Sequence, residues 1–455
     1  MRLEPGASDP AAVRPTKGAG TGRGWDGLRR WAAAFAVYSD RRMVVILLMG
    51  FASGLPLPLT LSTLSYWLAK VGVDKTSIGL FALVGLPYSF KFLWAPVVDQ
   101  VRLPVLSARL GRRRSWTLAS QVGLAVAIMA LGTTDPALRP MVTAAATLIV
   151  AFLSATQDIA IDAYRIEILD EPEQGAGAAA TQLGYRIGML ASSAGALALA
   201  DFLPWSAVFT ATAGLLGIGM LAVLLAPEPP APRDLAVSAA TTHDSLRTRF
   251  EAAVIAPFTD FMRRPGWVVV LAFAVLYKFG DAIGGVMANP FYVELGFSGV
   301  EIASITKVTG LLATLAGVLV GGAVVARYGM FRALLLGGIL QAATNLMFAA
   351  QARVGHSLGF LALTITSDSF TGGLGSAALV AYLSSLCSAA FTGTQYALLT
   401  SFVAQGRTVL SSGGGWLASL LDWPMFFIAT ALLAVPGLVL IAYLERSSAA
   451  PPRPR

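Results

Sequence analysis

The sequence predicts an all-α integral membrane fold of twelve transmembrane helices arranged as two six-helix halves. Three observations predict it. Of the 455 residues, 56% are hydrophobic and 13% charged, whereas soluble domains carry roughly 45–50% apolar and about 25% charged residues. Mean hydropathy is +0.68. Apolar runs long enough to cross ~30 Å of hydrocarbon recur along the chain, with one long hydrophilic stretch in the middle. So few charges cannot coat a soluble protein of this size, which excludes a soluble enzyme, a disordered chain and a disulfide-stapled secreted domain.

Residues 1–42 are expected to form a cytoplasmic tail. Its first 24 residues are rich in Pro, Gly, Ala and Arg, with no apolar core and no cleavage site, so they do not read as a signal peptide. Trp25-Asp26-Gly27-Leu28-Arg29-Arg30-Trp31, running on into Phe35 and Tyr38, predicts a short amphipathic helix on the membrane interface. Six spans follow within 43–226, near 43–68, 77–98, 115–132, 141–163, 177–200 and 204–226. Residues 227–265 form a central cytoplasmic loop. It opens on Ala226-Pro227-Glu228-Pro229-Pro230-Ala231-Pro232, which no helix can cross, and its stretch 244–264 is amphipathic. Six more spans lie within 266–444, near 266–290, 302–326, 331–351, 358–387, 394–420 and 423–444, before a cytoplasmic tail at 445–455. With the N-terminus inside, the inner segments hold 24 Lys and Arg and the outer loops four. That asymmetry places both termini in the cytoplasm.

Several chemistries are excluded by what the chain lacks. Cys387 is the single cysteine, so no intramolecular disulfide or CxxC pair is possible, and His243 and His356 both fall outside the apolar runs. No metal or other cofactor is expected. The net charge of +8 resides mostly in short loops beside apolar segments, as a membrane protein requires, and does not argue for nucleic acid. No G-x-x-x-x-G-K-[ST] loop exists to power transport with ATP. Gly355-His356-Ser357-Leu358-Gly359 has the spacing of a hydrolase nucleophile elbow, but no strand precedes it and an apolar run follows. The chain is not expected to be an enzyme.

A charge inside a bilayer is costly, at ~2.5–3.5 kcal/mol on insertion scales, and points by default to function. The spans contain Lys91, Asp158, Asp162, Arg186, Lys278, Asp281, Lys307, Asp368 and Arg407. Asp158, Asp162 and Arg165 recur at i, i+4 and i+7, on one helical face. Two carboxylates so close in a low dielectric do not both ionise readily, which is what a proton-coupled carrier uses. Asp158 and Asp162 are therefore the candidates for proton coupling; the competing reading has them anchor the cytoplasmic end against Arg165 or Arg112–Arg114. Tyr88 and Lys91 share a face suited to sugar stacking and carboxylate binding, unless Lys91 pairs with an Asp of the fourth span. Gln182 and Arg186 lie one turn apart; Arg186 suits a carboxylate clamp or neutralises Asp158. Lys278 and Asp281 form a local i, i+3 pair, and Lys307, Asp368 and Arg407 need partners across helices. Candidate substrate contacts are Tyr88, Lys91, Gln157, Asp158, Gln182, Arg186, Lys278, Asp281, Lys307 and Asp368. Gly50, Gly54 and Pro56 mark a kink in the first span, serving either as a gate or as packing.

Six spans, a cytoplasmic loop and six more resemble the major facilitator superfamily, whose halves rock about a midplane site. Asp99-Gln100-Val101-Arg102 followed by Gly111-Arg112-Arg113-Arg114 resembles that superfamily's cytoplasmic loop signature, with an insertion between Asp99 and Gly111. This resemblance makes Asp99, Arg112 and Arg113 gating candidates. Arg327-Tyr328-Gly329-Met330-Phe331-Arg332 is a weaker echo in the second half.

A closer resemblance, to the AmpG family of bacterial muropeptide permeases, rests on motifs in sequence order. They are Gly50-Phe51-Ala52-Ser53-Gly54-Leu55-Pro56-Leu57, Lys91-Phe92-Leu93-Trp94-Ala95-Pro96, Gly111-Arg112-Arg113-Arg114, Ser154-Ala155-Thr156-Gln157-Asp158-Ile159, and Gly175-Ala176-Gly177-Ala178 through Gly184-Tyr185-Arg186-Ile187-Gly188-Met189. The likeness thins in the second half to Lys278, Asp281, Gly372-Gly373 and Thr394-Gln395-Tyr396-Ala397-Leu398-Leu399. It implies proton-driven import of N-acetylglucosaminyl-1,6-anhydro-N-acetylmuramyl peptides from periplasm to cytoplasm across the bacterial inner membrane, for peptidoglycan recycling; a monomer is expected. It also implies that Gln157 and Asp158, with Gly50 and Gly54, lie where the family's function is most sensitive. The alternatives are a carrier of another anionic metabolite, such as a coenzyme A thioester or a siderophore, and a non-transporting assembly factor on the same fold.

Overall fold

The computed structural model describes residues 35–73, 81–230, 255–264 and 266–449, and among these there is no strand. Asp40 starts the first span: its side chain accepts from the Arg42 N–H at 2.8 Å, capping α1, which runs Arg41–Gly54 and continues as Pro56–Thr60 and Ser62–Lys70. Pro56 and Pro58 supply no N–H to the helical ladder, and the helix breaks there. The second span differs from the continuous helix expected over 77–98. Here α2 is a chain of short turns, Phe81–Gly85, Leu86–Phe90, Lys91–Leu93 and Ala95–Gln100. Pro87 and Pro96 each sit in the first turn of a new segment, where a missing N–H costs nothing. Residues 77–80 lie outside the described residues.

The first half continues with α3 (Arg112–Gly132), α4 (Pro140–Ile168), α5 (Gln174–Leu190, prolonged through a π turn at Ala191–Gly195 to Ala196–Ala200) and α6 (Trp205–Leu225). The second half comprises α7 (Trp267–Leu276 and Phe279–Glu294) and α8 (Gly299–Ser304, a π turn Ile305–Gly310, then Leu311–Tyr328). Then come α9 (Met330–Val354), α10 (Leu358–Ser385), α11 (Thr392–Ser411, then Gly414–Leu420) and α12 (Trp423–Leu432, then Val435–Ala449). Nine of these stretches are long and apolar enough to span a membrane on those grounds alone; α2, α10 and α11 complete the twelve. The expected interfacial helix at 25–31 lies outside the described residues, as does most of the central loop, of which Ala256–Met262 forms a short helix.

Lipid tails are as apolar as leucine, so helices in a bilayer gain most from close backbone approach. Between α1 and α5, a Cβ on Gly54 would land on the Tyr185 carbonyl, one on Gly184 on the Leu47 carbonyl, and one on Gly188 on the Phe51 carbonyl. Gly50 meets the Thr181 carbonyl in the same seam. Gly50 and Gly54 thus pack two helices of one half together. Gly317 and Gly373 bring α8 and α10 together against the Phe370 and Thr314 carbonyls. Aromatic rings fill the core of the second half, with Phe291 and Phe427 centroids 4.8 Å apart.

Candidate functional site

The ends of the helices that the charge bias assigns to the cytoplasm are joined across the two halves. Asp99, at the end of α2 and fully buried, accepts from the N–H of Gly393 at 3.1 Å, the N–H of Thr394 at 2.6 Å and the Thr394 hydroxyl at 2.6 Å. Those N–H groups belong to the first turn of α11, where a helix presents unsatisfied donors and the positive end of its dipole. Arg113 pairs with Asp99 at 2.7 Å and with Glu167 at 2.5 Å. Arg112 donates to the Asp99 carbonyl and meets Glu167 at 3.3 Å.

Two further links cross the halves beside this cluster. Arg165 donates to the Ser384 hydroxyl at 3.0 Å and lies 5.3 Å from the Tyr396 ring centroid. On the other flank, α5 and α8 touch at Gly175 and Gly322, and the Tyr38 hydroxyl donates to the Leu319 carbonyl at 2.9 Å. This end is closed.

Glu228 explains the geometry of the insertion between Asp99 and Gly111. It accepts from the Arg113 and Arg114 N–H groups at 2.8 and 3.2 Å, capping α3 from the chain that leaves α6. Burial pushes its carboxyl above the usual carboxylate range, although those N–H bonds pull it down. Gly111 has φ of +86°, and a Cβ there would strike Glu228, so both backbone and space demand glycine.

Within the first half, α4 carries a polar stripe of Ser154, Asp158, Asp162 and Arg165. Asp158 accepts from the Ser53 hydroxyl of α1 at 2.5 Å and has no cation within ion-pair distance among the described residues. Asp162 lies between Lys91 and Arg165, each at 3.9 Å. The structure therefore brings Lys91 to the fourth span. Tyr88 lies beside Ser154, Thr60 and Asp158. Trp94 donates to Thr156 at 3.0 Å and packs on Phe152, so it serves the α2–α4 contact. Both side-chain polar atoms of Gln157 are buried without a hydrogen-bond partner among the described residues, as are the Gln182 Nε2 and the Ser154 hydroxyl. Such groups keep hydrogen-bonding capacity for a polar ligand. Arg186 is exposed and apart from the Asp158 contacts, with no ion pair among the described residues; the neutralisation of Asp158 by Arg186 is not what the structure places there.

In the second half, Lys278 stands 3.7 Å from Asp281 and donates to the Gly372 carbonyl at 3.0 Å. Gln341 donates to Asp281, and Thr344 to Asp368 at 3.1 Å. Asp281 thus has a partner on α9 besides Lys278 on its own helix, and Asp368 has one on α9. The side chain of Lys307 lies outside what the structure describes, on the π turn of α8. Glu167, Glu228, Ser53 and the α11 N-terminus are the site groups that sequence reasoning missed. Glu167 alone carried a signal, as a carboxylate near the end of the fourth span with the three-arginine cluster to satisfy.

These features meet those of known proteins. The sequence profile of the Major Facilitator Superfamily matches residues 43–349. The anhydromuropeptide permease of Escherichia coli K12 is 40% identical over 411 residues, covering 89% of this chain and 80% of that one. The chain belongs to the AmpG family of the major facilitator superfamily. Another AmpG-family protein, the putative transporter AmpG 4 of Rickettsia conorii, is 36% identical over 411 residues, covering 90% of this chain and 98% of its own. Two solved structures share the fold. The transporter FucP in its outward conformation has a TM-score of 0.62 at 14% identity, and the human organic anion transporter MFSD10 one of 0.60 at 17%. Each alignment covers 91% of this chain and 99% of the other. Like its AmpG-family relatives, the chain is an integral membrane transporter and not an enzyme.

Proposed function

We propose that this permease imports anhydro-muropeptides, N-acetylglucosaminyl-1,6-anhydro-N-acetylmuramyl peptides, from periplasm to cytoplasm across the bacterial inner membrane. The proton motive force drives it, and a monomer works by alternating access. The observation that carries the cargo is 40% identity over 89% of the chain to a relative named for it. Polar groups with spare bonding capacity at Tyr88, Gln157 and Gln182 suit a sugar-rich ligand.

The cytoplasmic end is closed, as in a carrier waiting for cargo from outside. Proton coupling falls to Asp158. Asp162 has two cations within ion-pair distance, whereas Asp158 has a hydroxyl in contact and the Lys91 charge only at longer range. Of these two carboxylates it is the one less committed to one protonation state.

Uptake of labelled anhydro-muropeptide by proteoliposomes, with and without an imposed proton gradient, tests both parts. Gradient-driven accumulation in wild type, reduced to downhill equilibration in Asp158→Asn, is the expected result. Absence of uptake by folded wild-type protein overturns the cargo; gradient-driven accumulation retained by Asp158→Asn overturns the coupling residue.

A further inference from the structure

A cavity of about 360 Å³ opens between α7 and α11, lined in part by Lys278, Asp281, Arg407, Thr408 and Ser411. Its charged groups are two cations and one carboxylate. Lys278 is already engaged by Asp281 and the Gly372 carbonyl. Arg407 feels the Asp281 charge across the cavity, but its side chain is exposed on the wall, and among the described residues it has no ion pair within 4 Å and no hydrogen bond. An arginine at membrane depth is costly unless something answers its charge. Its planar fork of donors matches a carboxylate bidentately, which a lysine cannot do.

We propose that this cavity is an anion subsite in which Arg407 receives the C-terminal carboxylate of the cargo's peptide, with Lys278 beside it. The proposal rests on the muropeptide reading and names the part of the cargo held by the second half. Asp281 leaves the wall with a single excess positive charge, which fits a monoanion better than a phosphate dianion. A volume of about 360 Å³ is at the lower end for ligand clefts, so it takes one end of a large cargo and leaves the disaccharide elsewhere. Arg407 lies fifteen residues beyond Thr392, or about 22 Å along the helix from its cytoplasmic end at 1.5 Å per residue. The subsite is therefore well removed from the closed cytoplasmic contacts, on the side from which cargo arrives.

Proteoliposome uptake of the anhydro-muropeptide as free acid and as C-terminal amide, in wild type, Arg407→Gln and Arg407→Lys, tests it. The expected result is a KM about tenfold lower for acid than amide in wild type, the factor given by 1.4 kcal/mol. Arg407→Gln should abolish that preference and Arg407→Lys restore part of it. Equal KM for acid and amide in wild type, or a preference that survives Arg407→Gln, overturns the subsite. Should wild type transport neither cargo, the muropeptide reading falls. The subsite is then decided by calorimetric binding of an N-acetyl dipeptide acid against its amide to purified protein. A preference for the acid in wild type that Arg407→Gln removes supports it, and equal binding overturns it.

Discussion

Asp99 and Thr394 stand 295 residues apart in the chain, yet their side chains meet at 2.6 Å, and the same carboxylate takes the Thr394 N–H. One buried charge thereby caps the first turn of a helix in the opposite half. Hydrogen bonds to a charged group contribute about 1.5–3 kcal/mol each, and these bonds join the two halves at the end that the charge bias assigns to the cytoplasm. Asp99→Asn keeps the shape, removes the charge and turns one acceptor into a donor. It is expected to raise the cytoplasm-open population by roughly ten- to a hundredfold, from 1.4–2.8 kcal/mol of lost closure at tenfold per 1.4 kcal/mol. Distance measurements between spin labels on the cytoplasmic ends of α2 and α11 read this directly. An unchanged distribution would show that the cap does not hold the gate.

The seam between α1 and α5 predicts an asymmetry among glycines. A Cβ on Gly188 would fall on the Phe51 carbonyl, which cannot move without moving α1. Gly188→Ala is expected to cost about 1–3 kcal/mol or more, as overpacking does. Gly214 in α6 has nothing within 4 Å of the same position. Gly214→Ala should be neutral or stabilising by up to about 1 kcal/mol through helix propensity. Thermal melting in detergent separates the two; equal losses would refute the seam.

Hydropathy made the spans legible because a bilayer imposes a length on each. The break-up of α2 escaped that reading, since Pro87 and Pro96 change the backbone without changing apolarity. Pairs on one helix, such as Lys278 and Asp281, were legible from the helical period. The Asp99 cap, the Ser53–Asp158 bond and the Glu228 cap were not, because each joins residues more than a hundred positions apart. Glu228 lay hidden in a proline-rich stretch that reads as linker. Gly50 and Gly54 signalled close approach, but only the structure identifies the Thr181 and Tyr185 carbonyls as what they approach.

Asp40 gives a pH-dependent prediction. The Arg42 guanidinium, with help from its N–H, holds the Asp40 carboxyl below the usual carboxylate range. A carboxylate lowered in the folded state contributes stability that is full above its unfolded value and fades as pH falls through its folded one. Loss of the cap in Asp40→Ala should cost about 1 kcal/mol at neutral pH. Melting of both proteins across pH should show this gap constant down to about pH 5 and shrinking below the unfolded carboxylate value of about 4. A gap independent of pH would mean that the cap acts without its charge.

Lys91, Asp162 and Arg165 predict a non-additive cycle. Lys91 and Arg165 flank Asp162 at 3.9 Å each, with side chains 12% and 1% exposed. Lys91→Met leaves Asp162 with one cation, and Asp162→Asn leaves two cations without their carboxylate. Each single change leaves a largely buried charge short of a partner, at a cost of roughly 1–3 kcal/mol. The double variant strands only Arg165, which keeps its bond to Ser384 and its place over Tyr396. Its loss should therefore fall short of the sum of the singles by about 0.5–3 kcal/mol, the range for groups in one network. Chemical unfolding of all four proteins in the same detergent measures that coupling. Strict additivity would mean that α2 and α4 are held by the Trp94–Thr156 contact, and that the ion pair contributes nothing to their packing.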